Sequence, residues 1–212
     1  MSRARPSSDI GVRDLNARPD VERLRNRLNT LVIAVAGQFL PIVALYWLRF
    51  VPWFRPVDFE VPAPGPGLLL ACAAALALPF VLPRGWFTPH PIERRGLYEA
   101  LGLRHFRAVA TDGDWINSRL RRLDPSYRVI RDRRTRDAHI AGTILNERWH
   151  LAWLLLGLVT AGSAIATRQY GWAVTVTVFN AAFNLYPVFH QRYKRARLRP
   201  GATANRHQAE PT

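Results

Sequence analysis

Four long stretches of this chain contain no Asp, Glu, Lys or Arg: Leu31 to Leu48, Val61 to Pro83, Trp149 to Thr167 and Gln169 to Gln191. Each approaches or exceeds the ~20 apolar residues that carry a helix across a ~30 Å hydrocarbon layer. The fold expected from them is an all-α membrane protein with four transmembrane helices and a mostly helical cytoplasmic loop, residues 84–148, between spans two and three. Residues 1–30 form a cytoplasmic N-terminal segment in this reading, residues 31–199 the membrane domain, and residues 200–212 a polar tail expected to be disordered.

The net charge of +15 would suit a nucleic-acid binder, but its distribution argues otherwise. Counted between the spans, 27 of the 30 Lys and Arg fall on one side and 3 on the other. By the positive-inside rule both termini and the central loop are cytoplasmic, in a multi-pass protein of the cell membrane. Much of the basic excess then serves topology and attraction to anionic headgroups, and nucleic acid is excluded as a partner. No small-residue cleavage pattern follows the first span, so it reads as an uncleaved anchor. The lone Cys72 reads as a packing residue.

Polar residues inside the apolar spans are the candidates for function, because hydrocarbon offers them no partner. From about Val129 the pattern is helical into the third span, and on such a helix His139, Thr143, Glu147 and His150 fall within about 80° of one another. Two imidazoles, a carboxylate and a hydroxyl on one face resemble acid/base equipment. Glu147 and His150 also have a Glu-x-x-His spacing known from metal sites in helical bundles, but the other spans supply too few ligands, and no metal is expected. In the fourth span Asn180, Asn184 and Gln191 fall within about 40° of one another. Pro187 removes the donor for the Phe183 carbonyl there, and Pro41 does the same within the first span. Arg192, Lys194, Arg195, Arg197 and Arg199 follow as a cationic cluster that fits headgroups or the phosphates of a substrate. A His-x-x-x-x-Asp acyltransferase box, a Gly-x-Ser-x-Gly elbow, a P-loop and a Cys-x-x-Cys pair are all absent.

In the loop, Pro91 to Leu101 reads as a helix stopped by Gly102, and residues 111–114 as a turn before a short helix ending at Leu123. With these pieces in place the chain resembles the glycosyl-4,4'-diaponeurosporenoate acyltransferase family. The resemblance rests on Asn184, Gln191-Arg192-Tyr193, Arg195 and Arg197-Leu198, on Glu147 and His150, and on a weaker upstream pattern of Glu93, Gly96, Asp112 and Gly113. It spans Pro91 to Gly113 and Ala138 to Leu198. Lys194, Leu151 and Phe106 depart from the family's pattern, and the first 80 residues show no match.

The resemblance implies transfer of a fatty acyl group to a sugar hydroxyl of a glycosylated carotenoid or related glycolipid. Its partners would be that acceptor, an acyl donor and membrane lipid. No cofactor is expected, an acyl donor such as acyl-CoA entering as substrate. His150 would be the base, oriented by Glu147. Glu93, Asp112, His139, Asn184, Gln191, Arg192, Tyr193, Arg195 and Arg197 would bind substrate, with Asn184 or Gln191 donating to the oxyanion. The competing expectation is a non-enzymatic four-helix scaffold for lipid or pigment enzymes.

Overall fold

The computed structural model describes residues 19–54, 61–90, 92–93, 95–130 and 132–198. The expectations for residues 1–18, for Pro91 as a helix start, for the anchor Arg199 and for the tail lie outside them. The regular structure of the described residues is helical, without strands: α1 (Pro19–Ala36), α2 (Phe39–Leu48), α3 (Pro66–Val81), α4 (Arg95–Ala100), α5 (Leu103–Val109), α6 (Asp114–Leu123), α7 (Arg133–Ala166), α8 (Tyr170–Asn180) and α9 (Tyr186–Arg197).

Three helical stretches are long and apolar enough to cross a membrane: Pro19–Leu48, Arg133–Ala166 and Tyr170–Arg197. This corrects the expected four. The remaining apolar helix, α3, has 16 residues, or about 24 Å at 1.5 Å per residue. Proline sets both limits: Pro64, Gly65 and Pro66 bar extension backwards, and Pro83 bars it forwards. Even so, α3 lies along the apolar part of α7, with Ala75 in one core with Leu156 and Ala161 and the Phe80 ring edge-on to Trp149, centroids 4.8 Å apart.

The first stretch breaks where proline chemistry says it should. Pro41 offers no N–H to the Gly37 carbonyl, the helix interrupts at Gly37 and Gln38, and Leu40 N donates to Gly37 O instead at 3.0 Å. The Gln38 side chain donates one turn back, to Ala34 O at 3.2 Å.

The long helix α7 starts later than the hydrophobic pattern suggests. Asp132 and Thr135 form a capping box, the Asp132 carboxylate accepting from Thr135 N at 2.7 Å and Asp132 N donating to Thr135 Oγ1 at 3.0 Å. From there it runs 34 residues without a break. Its upper half packs against α2, α3 and α8 around Phe39, Val43, Leu156 and Val176. Hydroxyls among these helices are paired: Tyr46 donates to Ser163 at 2.9 Å and Trp47 to Thr160 at 3.1 Å. Meanwhile Leu31, Leu70 and Val178 stay largely exposed, as lipid-facing positions would.

Below this bundle sit α4, α5 and α6. Gly102, at φ +76°, ends α4 as expected, and α5, which the sequence reading passed over, starts directly after it. The foot of α1 packs Val21 against Ile116, Leu120 and Tyr127. The α5–α6 turn depends on Asp112 at φ +50°, a conformation Asp tolerates better than most residues. It depends also on Gly113, where a Cβ would lie 2.4 Å from the Arg107 carbonyl.

A close approach of a different kind joins α7 to α8. A Cβ on Gly157 would come within 2.4 to 2.8 Å of the Asn180 amide. Gly157→Ala is therefore expected to lower stability by about 1–3 kcal/mol through overpacking and to displace Asn180. A thermal melt of the detergent-solubilised chain checks this, and an unchanged midpoint would contradict the close packing.

Candidate functional site

Two polar constellations form where α7 and α9 cross. The first is a chain of amides. Asn180 Nδ2 donates to the Leu154 carbonyl at 2.9 Å, Asn184 Nδ2 donates to Asn180 Oδ1 at 2.9 Å, and Asn184 Oδ1 lies 3.5 Å from His150 Nδ1. A backbone carbonyl can only accept, which fixes the orientation of Asn180, then of Asn184, and leaves an acceptor facing the imidazole. An oxygen facing Nδ1 favours the His150 tautomer with its proton there and its lone pair on Nε2. Both asparagines are buried. The Phe183 carbonyl, which Pro187 has no N–H to serve, is a further acceptor within reach of the ring.

The second constellation is an ion cluster. Glu147, fully buried, accepts from Arg192 Nε at 2.7 Å through one oxygen and from Arg195 Nη2 through the other. Arg192 reaches on to Glu93 at 2.7 Å, and its guanidinium covers the Trp86 ring. Arg195 Nε donates to the Phe87 carbonyl at 3.0 Å. Two carboxylates and two guanidiniums thus balance in charge while joining the segment ahead of α4, the Arg84–Phe87 turn, α7 and α9.

Glu93 lies outside the spans. Burial works to raise its pKa, but the hydroxyl of Tyr98 (2.5 Å), the His90 N–H and Arg192 outweigh it, and the carboxyl stays below its ordinary range. Burial and the same hydrogen bond push the Tyr98 phenol well up.

A π turn, Ala181–Leu185, separates α8 from α9 and makes this meeting possible. It inserts one extra residue before Pro187, so the faces beyond it rotate by roughly 100° relative to a continuous α-helix. Arg192 and Arg195 are thereby turned onto the face that Asn180 and Asn184 define. Gln191, expected on that face, turns aside: it is buried, with Oε1 lacking a hydrogen-bond partner.

Several expected roles change with this geometry. Glu147 does not orient His150, since its oxygens serve Arg192 and Arg195; Asn184 stands beside the imidazole instead. Asn184 is no free oxyanion donor, since its amide nitrogen is committed to Asn180. Arg192 and Arg195 are tied to carboxylates and are not open to a phosphate. Arg197 is exposed and lies over the Tyr193 ring at 5.7 Å, while the buried Tyr193 hydroxyl accepts from Arg107 at 2.9 Å. His139 is half-buried near Lys194 and Asp112.

Asp112 is also an architectural residue. Its carboxylate accepts from Arg25 Nε and Nη2 at 2.7 Å each and from Asn29 Nδ2 at 3.0 Å, tying α1 to the α5–α6 turn. Burial acts against its charge, yet these donors hold its pKa below the ordinary 3.8. A carboxyl with a depressed folded pKa stabilises the fold above its unfolded pKa and ceases to do so as pH falls through the folded value. Acidification below about pH 4 should therefore release the foot of α1. In melts taken across that range Asp112→Asn is expected to flatten the acid slope, and an unaltered slope would remove Asp112 from the account.

Residues 83–202, more than half of the chain, match the sequence profile of glycosyl-4,4'-diaponeurosporenoate acyltransferase. The chain belongs to that family. No curated protein and no solved structure matches it. The matched region of this acyltransferase-family chain holds both constellations and leaves out α1, α2 and α3. Sequence reasoning did not find Tyr98, Trp86 or the Arg25–Asp112 bridge, for which no local spacing gives a signal. It set Asn180 on the polar face but left it out of the substrate-binding set, although Gly157 opposite hints at a close partner.

Proposed function

We propose that this chain is an integral membrane acyltransferase that esterifies a sugar hydroxyl of a glycosylated carotenoid or related glycolipid, at the level where α7 and α9 cross. The observation that carries this reading is the Leu154–Asn180–Asn184–His150 chain, which presents a basic Nε2 of fixed orientation. In the reaction Nε2 takes the proton of the acceptor hydroxyl as its oxygen attacks the acyl carbonyl, and returns the proton to the leaving group of the donor. With a thioester donor that group departs as a thiol. The family name supports the acyl transfer and the glycosylated carotenoid acceptor.

In this reading the cluster of Glu147 with Arg192, Arg195 and Glu93 clamps the helices that carry the base, and Gln191 and His139 remain available to substrate. In support of one shared side for the two described ends, the foot of α1 is bonded through Arg25 to Asp112 in the loop, and α9 ends against the same loop.

The test is a comparison of lipid extracts from cells with and without the gene by mass spectrometry. An acylated glycolipid or glycocarotenoid that disappears with the gene, returns with the parent protein and does not return with His150→Ala supports the proposal. Full restoration by His150→Ala in a membrane-inserted protein would refute it.

A further inference from the structure

The face of α7 turned away from His150 and Glu147 carries a separate feature. A cavity of about 400 Å³ opens between the Arg84–Phe87 turn and the lower part of α7, lined by Arg84, Asp137, Ile140, Ile144, Leu145 and Arg148 among others. Neither constellation of the candidate site contributes to it.

Its chemistry is two-sided. Arg148 is rigidly placed: Nη1 donates to Phe80 O at 3.1 Å, Nη2 to Leu82 O at 2.9 Å, and the guanidinium stacks on Phe87 at 4.9 Å. Its Nε is buried and has no hydrogen-bond partner. Arg84 is exposed, and no ion pair engages it among the described residues. Against these cations stands the apolar wall of Ile140, Ile144 and Leu145. Trp149, half-exposed beside Phe80, marks the level at which aromatic residues gather in membrane proteins, between headgroups and hydrocarbon.

From this the geometry points to a binding site for an anionic phospholipid of the cytoplasmic leaflet. The phosphate diester faces the exposed Arg84, with the fixed positive charge of Arg148 behind it, a hydroxyl of the headgroup faces Asp137, and an acyl chain leaves over Leu145. The volume accommodates a headgroup and glycerol but not whole chains, which the open side leaves in the bilayer. Arginine suits the phosphate by its fixed fork of donors, and the apolar wall distinguishes a lipid from a soluble phosphate. The inference needs the chain to be in a membrane but does not depend on acyl transfer.

The experiment is thermal unfolding of the full chain in detergent, titrated with phosphatidylglycerol, phosphatidylcholine or inorganic phosphate. Phosphatidylglycerol should raise the midpoint saturably, phosphatidylcholine and phosphate should not, and Arg84→Gln should weaken the apparent affinity about fivefold. Arg119→Gln, an exposed change on α6, should leave it as in the parent, as should His150→Ala. Equal effects of the two lipids, an equal response to phosphate alone, or equal losses in Arg84→Gln and Arg119→Gln would each overturn the site.

Discussion

Glu147→Gln is expected to destabilise the chain severely, by about 3–5 kcal/mol, because it removes the shared carboxylate from a buried ion cluster. Arg195 is 5 % exposed and Glu147 0 %, so water cannot replace what is lost. An amide oxygen can accept from one guanidinium, but its NH2 then faces the other as donor against donor. Against a typical stability of about 5–15 kcal/mol such a loss removes much of the folded population where the parent stability lies near the lower end. Inactivity in Glu147→Gln would thus accompany loss of fold. The check is a melt of the solubilised variant beside Glu147→Leu combined with Arg192→Leu, Arg195→Leu and Glu93→Gln, in which no charge of the cluster is left unpaired and much of the stability should return. A single variant that melts like its parent would show that the carboxylate is not the clamp described here.

The same cluster shows where sequence reasoning reaches and where it stops. Helical periodicity is local, so α7, its polar face and the apolar stretches of α1–α2 and α8 were readable from spacing alone. Glu147 and His150 do lie within one turn on one side of α7. What periodicity assumes is an unbroken helix, and the π turn ahead of Pro187 breaks that assumption. The extra residue exchanges Gln191 for Arg192 and Arg195 on the side facing α7. Pro187 was the visible warning, but a proline announces a defect without saying whether the helix will kink, stop or widen.

Charge counting has a similar boundary. It assigns most of the basic residues to one side of a membrane, yet it does not reveal that Arg25, Arg192 and Arg195 are matched to Asp112, Glu93 and Glu147 over long separations in sequence. Nor could an apolar run without charge give the length of α3, which Pro66 and Pro83 determine. The family motifs were legible because they are local in sequence; the partners that give them meaning are not.

The largest effect on chemistry is expected at His150. Loss of a general base costs typically 10²–10⁴-fold, so His150→Ala should reduce acyl transfer by about that factor while folding remains intact. Asn184→Ala should cost about 10²-fold by leaving the imidazole free to turn, a misplacement of the base without its removal. Imidazole added to solution separates the two roles. It should partly restore His150→Ala, where a space and a missing base coincide, and should leave Asn184→Ala unimproved, since that protein still carries its own imidazole in the wrong orientation. Asn180→Ala is expected to behave like Asn184→Ala, because without its amide nothing relays the direction set by the Leu154 carbonyl. The measurement is product formation in membranes containing each variant at equal, folded amounts. If Asn184→Ala retained the parent's rate, His150 would not be held by the amide chain, and the fixed tautomer on which its role as base depends would have no support.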